Sequence, residues 1–123
     1  FLNISPKSSK EKHHLWIISS DPSKCSEKIL ILKVNTWRNL PWTDSSCFLF
    51  SQDHEFIDQK SFINYNEDRV KSISYLRRMD KMGNVKEKEK VSKGVMNRIH
   101  KGAKGNQFLS TEAINLLQRQ NFI

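Results

Sequence analysis

The sequence predicts an α+β protein in which short β-strands come first and helices follow. Residues 1–78 contain five short runs rich in β-branched and aromatic residues, separated by turn-forming residues. Residues 86–120 instead carry apolar residues at helical spacing. Short strands separated by turns in this way favour a small β-barrel. A length of 123 residues suits one domain, so we expect a single domain over residues 1–123, mainly β-barrel over 1–78 and helical and basic over 86–120.

The strands are predicted from their composition and from the turns that bound them. The strongest is Lys28–Thr36, "KILILKVNT", whose first half is apolar on both faces, as expected for a central strand. Leu15–Ser19 precedes it and ends at the turn-forming residues "SDPS". Three further strands are predicted, over Cys47–Phe50, Lys60–Tyr65 and Arg69–Leu76.

Two amphipathic helices are predicted in the C-terminal part. Over residues 86–101, Val91, Val95 and Ile99 recur at every fourth position, with lysines on the other face, and the segment ends at "KGAKGN". The run "STEAINLLQRQ" then begins with Ser110, which we interpret as the N-cap of a second helix.

The positive charge is concentrated in the second half of the chain. The formal net charge is +8; residues 1–68 carry 8 Lys and Arg against 9 Asp and Glu, whereas residues 69–123 carry 13 against 4. This asymmetry favours a polyanionic partner, either nucleic acid or an acidic protein. A solvated lysine-rich helix without a partner explains the same pattern equally well.

Other classes of protein are disfavoured by what the sequence lacks. It contains no apolar run near the roughly 20 residues of a membrane span, so we predict no membrane association. Cys25 and Cys47 fit neither a disulfide framework nor a zinc site, and we interpret them as small buried residues of a cytoplasmic protein. Glycine-rich nucleotide-binding motifs and metal-ligand spacings are missing. We therefore predict neither a cofactor nor a metal.

Candidate chemistry lies at the ends of two predicted strands. His13 and His14 stand just before the strand Leu15–Ser19, and an imidazole takes or gives a proton near neutral pH; the competing interpretation is a pair of surface side chains. Thr36 ends the strongest strand and Arg38 follows it. A hydroxyl and a guanidinium at one strand mouth suit a phosphate, although a turn threonine and a solvated arginine fit this stretch better when it is taken alone.

We interpret a third histidine, His54, as a structural residue. His54 lies in "DHEF", where Asp53 is expected to form a side-chain turn and Phe56 to anchor the core.

The order of these segments resembles that of the PemK/MazF-like toxins, small SH3-like barrels that cleave single-stranded RNA. The similar segments are "LWIISSDP", "KILILKVNTW", "CFLF", "KSFINY" followed by "EDRVKSI", and the closing helix "STEAINLLQRQ", which together cover most of the chain. The resemblance implies that His13 stands where the family has a catalytic arginine, and His14 where a proline follows it. Thr36 takes the place of the family's catalytic Thr or Ser. Since the family arginine is missing, Arg38 is expected to supply a guanidinium.

The resemblance further implies a toxin-type endoribonuclease, usually a homodimer neutralised by an antitoxin protein. We expect cleavage without a metal, in which an imidazole activates a ribose 2′-OH while Thr36 and Arg38 stabilise the charge on the phosphate. The residues expected to contact the RNA are Trp37, Trp42, Lys60, Ser61, Arg77 and Arg78.

Two alternatives remain open. One is a catalytically weak module that binds nucleic acid or protein through the same barrel and the basic C-terminal part. The other is a docking protein whose helix over residues 86–101 lies in a partner's groove.

Overall fold

The computed structural model describes residues 3–6, 15–22, 28–83 and 85–123. His13, His14 and Cys25 lie outside them. The described residues form an α+β protein, as predicted. The strands are β1 (Asn3–Pro6), β2 (Trp16–Ile18), β3 (Lys28–Thr36), β4 (Phe48–Leu49), β5 (Ser61–Ser72) and β6 (Val85–Lys88), and the helices are α1 (Ile73–Lys81), α2 (Lys93–Ala103) and α3 (Thr111–Arg119).

The six strands pair antiparallel in one sheet of order β4-β5-β3-β2-β1-β6. Within the described residues this sheet is open, because β4 and β6 lie at its two edges. The structure thus differs from the closed barrel of about five strands that the sequence predicts. The longest ladder joins β3 to β5, from Lys28 opposite Ser72 to Thr36 opposite Ser61, with an irregularity between Ile31 and Lys33.

Both faces of β3 are covered, which explains its continuous apolar run. Because side chains alternate along a strand, Leu30 and Leu32 face one side of the sheet, whereas Ile29 and Ile31 face the other. The first face packs against α2 and α3 through Val95, Met96, Ile99, Ala113, Leu116 and Leu117. On the second face, Ile73 and Leu76 of α1 pack against a smaller cluster that includes Trp16 and Ile18.

The predicted fourth and fifth strands are one strand followed by a helix. β5 runs without interruption over Ser61–Ser72, because β3 pairs with it along almost its whole length. The prediction of a strand over Arg69–Leu76 is therefore wrong beyond Ser72. The Oγ of Ser72 accepts the backbone N–H of Tyr75 at 3.1 Å and so caps α1.

The predicted helix over residues 86–101 is partly wrong. Val85–Lys88 forms β6 and pairs with β1, and α2 begins only at Lys93. Because β1 and β6 are far apart in the sequence, no local pattern indicates that they pair. A prediction from helical periodicity alone therefore places the start of the helix too early.

Both C-terminal helices begin at a capping serine. The Oγ of Ser92 accepts the N–H of Val95, and the Oγ of Ser110 accepts the N–H of Ala113, each at 3.2 Å. Each bond satisfies a donor that the first helical turn leaves without a partner. The predicted Ser110 cap is confirmed. None of the helices in the part of the chain that the structure describes is long and apolar enough to cross a membrane.

Candidate functional site

A cleft of about 600 Å³ opens where β3 extends beyond β2. The backbone N–H of Val34 donates to the carbonyl of Leu15 at 2.9 Å, and Thr36 lies opposite Ser61 of β5. The segment before β5 completes the lining. The polar residues of the cleft are Asn35, Thr36, Arg38, Asp58, Gln59 and Ser61, and its apolar residues are Leu15, Val34, Phe56 and Ile57. We call this the Thr36 cleft.

The Thr36 cleft brings two predicted catalytic residues together with a predicted RNA-binding residue. Thr36 is half-buried and Arg38 is exposed. Arg38 takes part in none of the ion pairs recorded for the described residues, so its guanidinium is available to fork onto phosphate oxygens. Ser61 uses its hydroxyl proton on the carbonyl of Gln59 at 2.9 Å, which leaves its oxygen as an acceptor.

Asn35 places a buried acceptor at the same cleft. Its Oδ1 is buried and has no hydrogen-bond partner among the described residues. An unsatisfied buried acceptor costs on the order of 1–3 kcal/mol. This oxygen is closed to solvent, so the group that the cleft exposes to a ligand is the Arg38 cation.

The histidine pair falls outside the described residues. The chain is described again from Leu15, which lines the Thr36 cleft and directly follows His14 in the sequence. The predicted roles of His13 and His14 stay predictions.

His54 is a structural residue, as the sequence suggested. Its Nδ1 accepts the backbone N–H of Phe56 at 3.0 Å, so the proton of the neutral ring lies on Nε2, which donates to the carbonyl of Glu89 at 2.8 Å. Both ring nitrogens of this buried side chain are therefore engaged.

Asp53 does not form the expected side-chain turn, in which the carboxylate accepts an N–H two residues further on; it binds a backbone N–H three residues earlier and forms an ion pair. Its Oδ2 accepts the N–H of Phe50 at 2.7 Å, and its Oδ1 lies 2.9 Å from Nη1 of Arg98. Desolvation raises the pKa of Asp53, but the hydrogen bonds from Arg98 and Phe50 and the charge of Arg98 outweigh it, so the pKa lies below its ordinary value. The pair joins α2 to the turn after β4.

An aromatic cluster with a lysine lies beside the Thr36 cleft. The Trp37 ring meets those of Phe48 and Phe62 edge to face, with centroids 4.8 and 5.9 Å apart. The Nζ of Lys60 lies 4.2 Å from the Phe48 centroid and 5.5 Å from that of Trp37. We call these four residues the Trp37 cluster. The cluster therefore combines packed aromatic rings with a cation–π contact from an exposed lysine.

The remaining predicted RNA-binding residues are dispersed. Trp42 is 75% exposed and lines a separate, smaller cleft. Arg77 and Arg78 are exposed on α1 and line neither that cleft nor the Thr36 cleft.

Sequence reasoning missed three polar residues of the Thr36 cleft: Asn35, Asp58 and Gln59. The only local signal was the polar run that follows Ile57, "DQKS", just ahead of a strand. What places this run against the end of β3 is the β3–β5 register, which brings Thr36 opposite Ser61.

Cys47 is a buried thiol, as predicted. Burial raises its pKa to about 11, although the charge of Arg98 and a hydrogen bond with Tyr65 oppose this. Among the described residues, no three His, Cys, Asp or Glu side chains lie close enough to hold a metal ion.

No family model matches the chain, and neither a curated protein nor a solved structure matches it. The resemblance to PemK/MazF-like toxins therefore remains a prediction from the sequence pattern.

Proposed function

We propose that the protein is an endoribonuclease that cleaves single-stranded RNA in the Thr36 cleft. The observation that carries the proposal is the meeting of Thr36, Arg38 and Ser61 in one cleft of about 600 Å³. A guanidinium beside the Thr36 hydroxyl suits a phosphodiester, because the cation neutralises the phosphate while the threonine O–H donates to a phosphate oxygen. The Ser61 hydroxyl proton is used on Gln59, so its oxygen is left to accept a hydrogen bond from the substrate.

The proposed reaction uses the RNA's own 2′-OH as the nucleophile. Its oxygen forms a bond to the adjacent phosphorus in line with the bond from phosphorus to the 5′-oxygen, which breaks. The products are a 2′,3′-cyclic phosphate and a 5′-OH. A base takes the 2′-OH proton, and an acid returns a proton to the leaving oxygen. In this proposal an imidazole of His13 or His14 is the base and, once protonated, the acid. Thr36 and Arg38 stabilise the charged phosphorane.

The Trp37 cluster supports the same substrate class. Lys60 holds a positive charge above two of the rings and can contact an RNA phosphate, and the part-exposed rings of Trp37 and Phe48 can contact an unpaired base. Lys60 of the Trp37 cluster directly precedes Ser61 of the Thr36 cleft, so the two sites are adjacent. One short stretch of single-stranded RNA is thus expected to contact both.

The proposal includes the family features implied by the resemblance. In it, the open sheet is a variant of the SH3-like barrel, the chain acts as a homodimer in the cytoplasm, and an antitoxin protein neutralises it.

The second candidate function is binding of nucleic acid without cleavage. The Trp37 cluster favours it, because stacking and cation contacts need no catalytic base. The replacement of the family's arginine by His13 favours it as well.

The deciding experiment removes one hydroxyl from the Thr36 cleft. Thr36→Val keeps the shape of the side chain and deletes its hydrogen-bonding group, so we expect RNA cleavage to slow by about 100-fold. Thr36→Ser keeps the hydroxyl and is expected to stay within about tenfold of the wild type. The measurement is the cleavage rate of single-stranded RNA in the presence of a chelator, with the 2′,3′-cyclic end identified among the products.

Two further results complete this test. Arg38→Ala and the double variant His13→Ala/His14→Ala are expected to be inactive. Equal cleavage by the Thr36→Val protein and the wild type would place the reaction elsewhere. Intact RNA together with salt-sensitive binding would select the second candidate.

A further inference from the structure

Trp42 and Phe108 form two sides of a cleft that the Thr36 cleft does not include. Trp42 is 75% exposed and Phe108 is 39% exposed, and both line a cleft of about 200 Å³ together with the buried ring of Phe62. We call it the Trp42 cleft. An indole left so largely in solvent does little for the core, and here it lines one cleft together with a second exposed aromatic ring.

The side chain of Asn106 connects two loops that line the Trp42 cleft. The Oδ1 of Asn106 accepts the N–H of Phe108 at 2.8 Å, and its Nδ2 donates to Oδ2 of Asp44 at 3.1 Å and to Oγ of Ser46 at 3.0 Å. Loops that are distant in sequence are thereby fixed relative to each other. Asp44 and the backbone of Phe108 are therefore preorganised, which lowers the entropic cost of binding.

Hydrogen-bonding groups lie between the aromatic walls. Thr43, Asp44, Asn64 and Asn66 line the cleft. Asn64 accepts the N–H of Asn66 through Oδ1 at 3.2 Å, and no hydrogen bond recorded among the described residues uses its Nδ2. Asp44 accepts three hydrogen bonds, from Ser46 and Asn106, of the roughly four that a carboxylate can take. The cleft therefore presents both a donor and an acceptor to a planar ligand.

Cationic side chains line a second cleft next to the Trp42 cleft. A neighbouring cleft of about 540 Å³ is lined by Ser46 and Phe48, which belong to the Asp44 network and the Trp37 cluster, and by Lys101 and Lys104. Arg98 lines it too, but its guanidinium is held by Asp53 and by the carbonyl of Phe48. Among the cationic residues that line this neighbouring cleft, Lys101 and Lys104 are therefore the ones left to neutralise phosphates.

We propose that the Trp42 cleft binds one unpaired nucleobase of a single-stranded RNA. The base stacks on Trp42 and Phe108, Asp44 and Asn64 contact its hydrogen-bonding edge, and the adjoining phosphates lie near Lys101 and Lys104. The cleft is smaller than the roughly 300–1,000 Å³ of sites for drug-sized ligands, which suits one ring system. This inference rests on the proposed RNA activity and adds a base-binding subsite outside the Thr36 cleft.

The test measures binding apart from cleavage. The probe is a fluorescently labelled 2′-O-methyl RNA of mixed sequence, which lacks the nucleophilic 2′-OH and stays intact. Trp42→Ala removes the stacking surface and is expected to weaken binding by about tenfold or more, whereas Trp42→Phe is expected to stay within about threefold of the wild type. The matched control is Met82→Ala, since Met82 is 66% exposed and lines neither the Trp42 cleft, nor the neighbouring lysine-lined cleft, nor the Thr36 cleft; its affinity is expected to be unchanged.

The outcomes separate this inference from the proposed function. If the Trp42→Ala protein binds the probe like the wild type, the base-binding cleft is refuted, and the cleavage assay on Thr36→Val still decides the nuclease proposal. Equal weakening by Trp42→Ala and Met82→Ala also refutes it, because a general apolar surface then explains the binding. A wild-type protein that neither binds the probe nor cleaves RNA overturns both.

Discussion

At the scale of single residues, His100 links α2 to the sheet by a buried polar contact. Its Nε2 lies 2.7 Å from the carbonyl of Ser19, and its ring stacks on Phe122 with centroids 4.2 Å apart. Burial lowers the pKa of His100 below its ordinary value of 6.5, although the hydrogen bond to Ser19 opposes the shift. The folded protein therefore favours the neutral ring.

This shift predicts how the free energy of unfolding depends on pH. Since the unfolded chain binds the proton more tightly, the stability that His100 contributes is complete above pH 6.5 and falls as the pH drops below that value. We expect the wild type to lose stability between pH 7.5 and 5 relative to His100→Gln, by at most about 1.4 kcal/mol per pH unit. Urea unfolding of both proteins at several pH values measures the difference.

Asp53 serves as an internal reference for this comparison, because it is present in both the wild type and His100→Gln. The pKa of Asp53 is lowered from 3.8, so the stability that Asp53 contributes is lost only in more acidic solution, and equally in both proteins. Parallel stability curves between pH 7.5 and 5 would show that His100 carries no such linkage.

At the scale of elements, α2 packs closely against β5 and the start of β4 at one glycine. A Cβ built on Gly102 would lie 2.5 Å from Oη of Tyr65 and 2.9 Å from the carbonyl of Ser46. The same hydroxyl of Tyr65 donates to the carbonyl of Ile99 at 2.6 Å. The helix therefore approaches the sheet at a distance that only glycine allows.

Two glycines of α2 make a matched pair of variants. Gly102→Ala is expected to lower the free energy of unfolding by roughly 1–3 kcal/mol, because Tyr65 or the helix must move. At Gly94 the nearest atom to a built Cβ is Oγ of Ser92 at 3.9 Å, so Gly94→Ala is expected to raise it by up to about 1 kcal/mol. Denaturant unfolding measures both, and changes of equal sign would contradict the packing described here.

The elements also show how far local patterns reach. The β-branched run of β3 and the serine caps of α2 and α3 are set by neighbouring residues, and the predicted β3 and Ser110 cap are confirmed. β6 depends on a partner at the opposite end of the chain, and the strand pattern after Asp68 continues β5 before α1 begins. Patterns within a window of ten residues contain neither fact.

At the scale of the whole molecule, basic side chains occur on two separate helices. Arg77 and Arg78 are exposed on α1, which packs on one face of the sheet, whereas Lys101 of α2 and Lys104 just beyond it are exposed on the side of the other helical layer. A single strand of RNA near the Trp42 cleft is expected to contact the lysine pair, because those residues line the adjoining cleft.

Salt dependence distinguishes the two helices. Lys101→Ala/Lys104→Ala is expected to weaken binding of the 2′-O-methyl RNA and to reduce the slope of log affinity against log salt by about 1.4, which is roughly 0.7 for each lost phosphate contact. Arg77→Ala/Arg78→Ala removes the same charge and is expected to leave the slope unchanged. A reduced slope for the arginine variant alone would show that the RNA follows α1, as the sequence suggested.

The sequence by itself determined the α+β class, the central strand β3, the Ser110 cap and the adjacency of Thr36 and Arg38, because each depends on neighbouring residues and their periodicity. The tertiary structure alone decided that the described sheet is open and that Ser61 and Asp58 join Thr36 in one cleft. It also decided that Trp42 and Phe108 line another cleft, where Asn106 joins Asp44 to the backbone of Phe108. These features arise from strand register and from contacts between distant loops. Such contacts form only when the whole chain buries its apolar surface, so local residue patterns do not contain them.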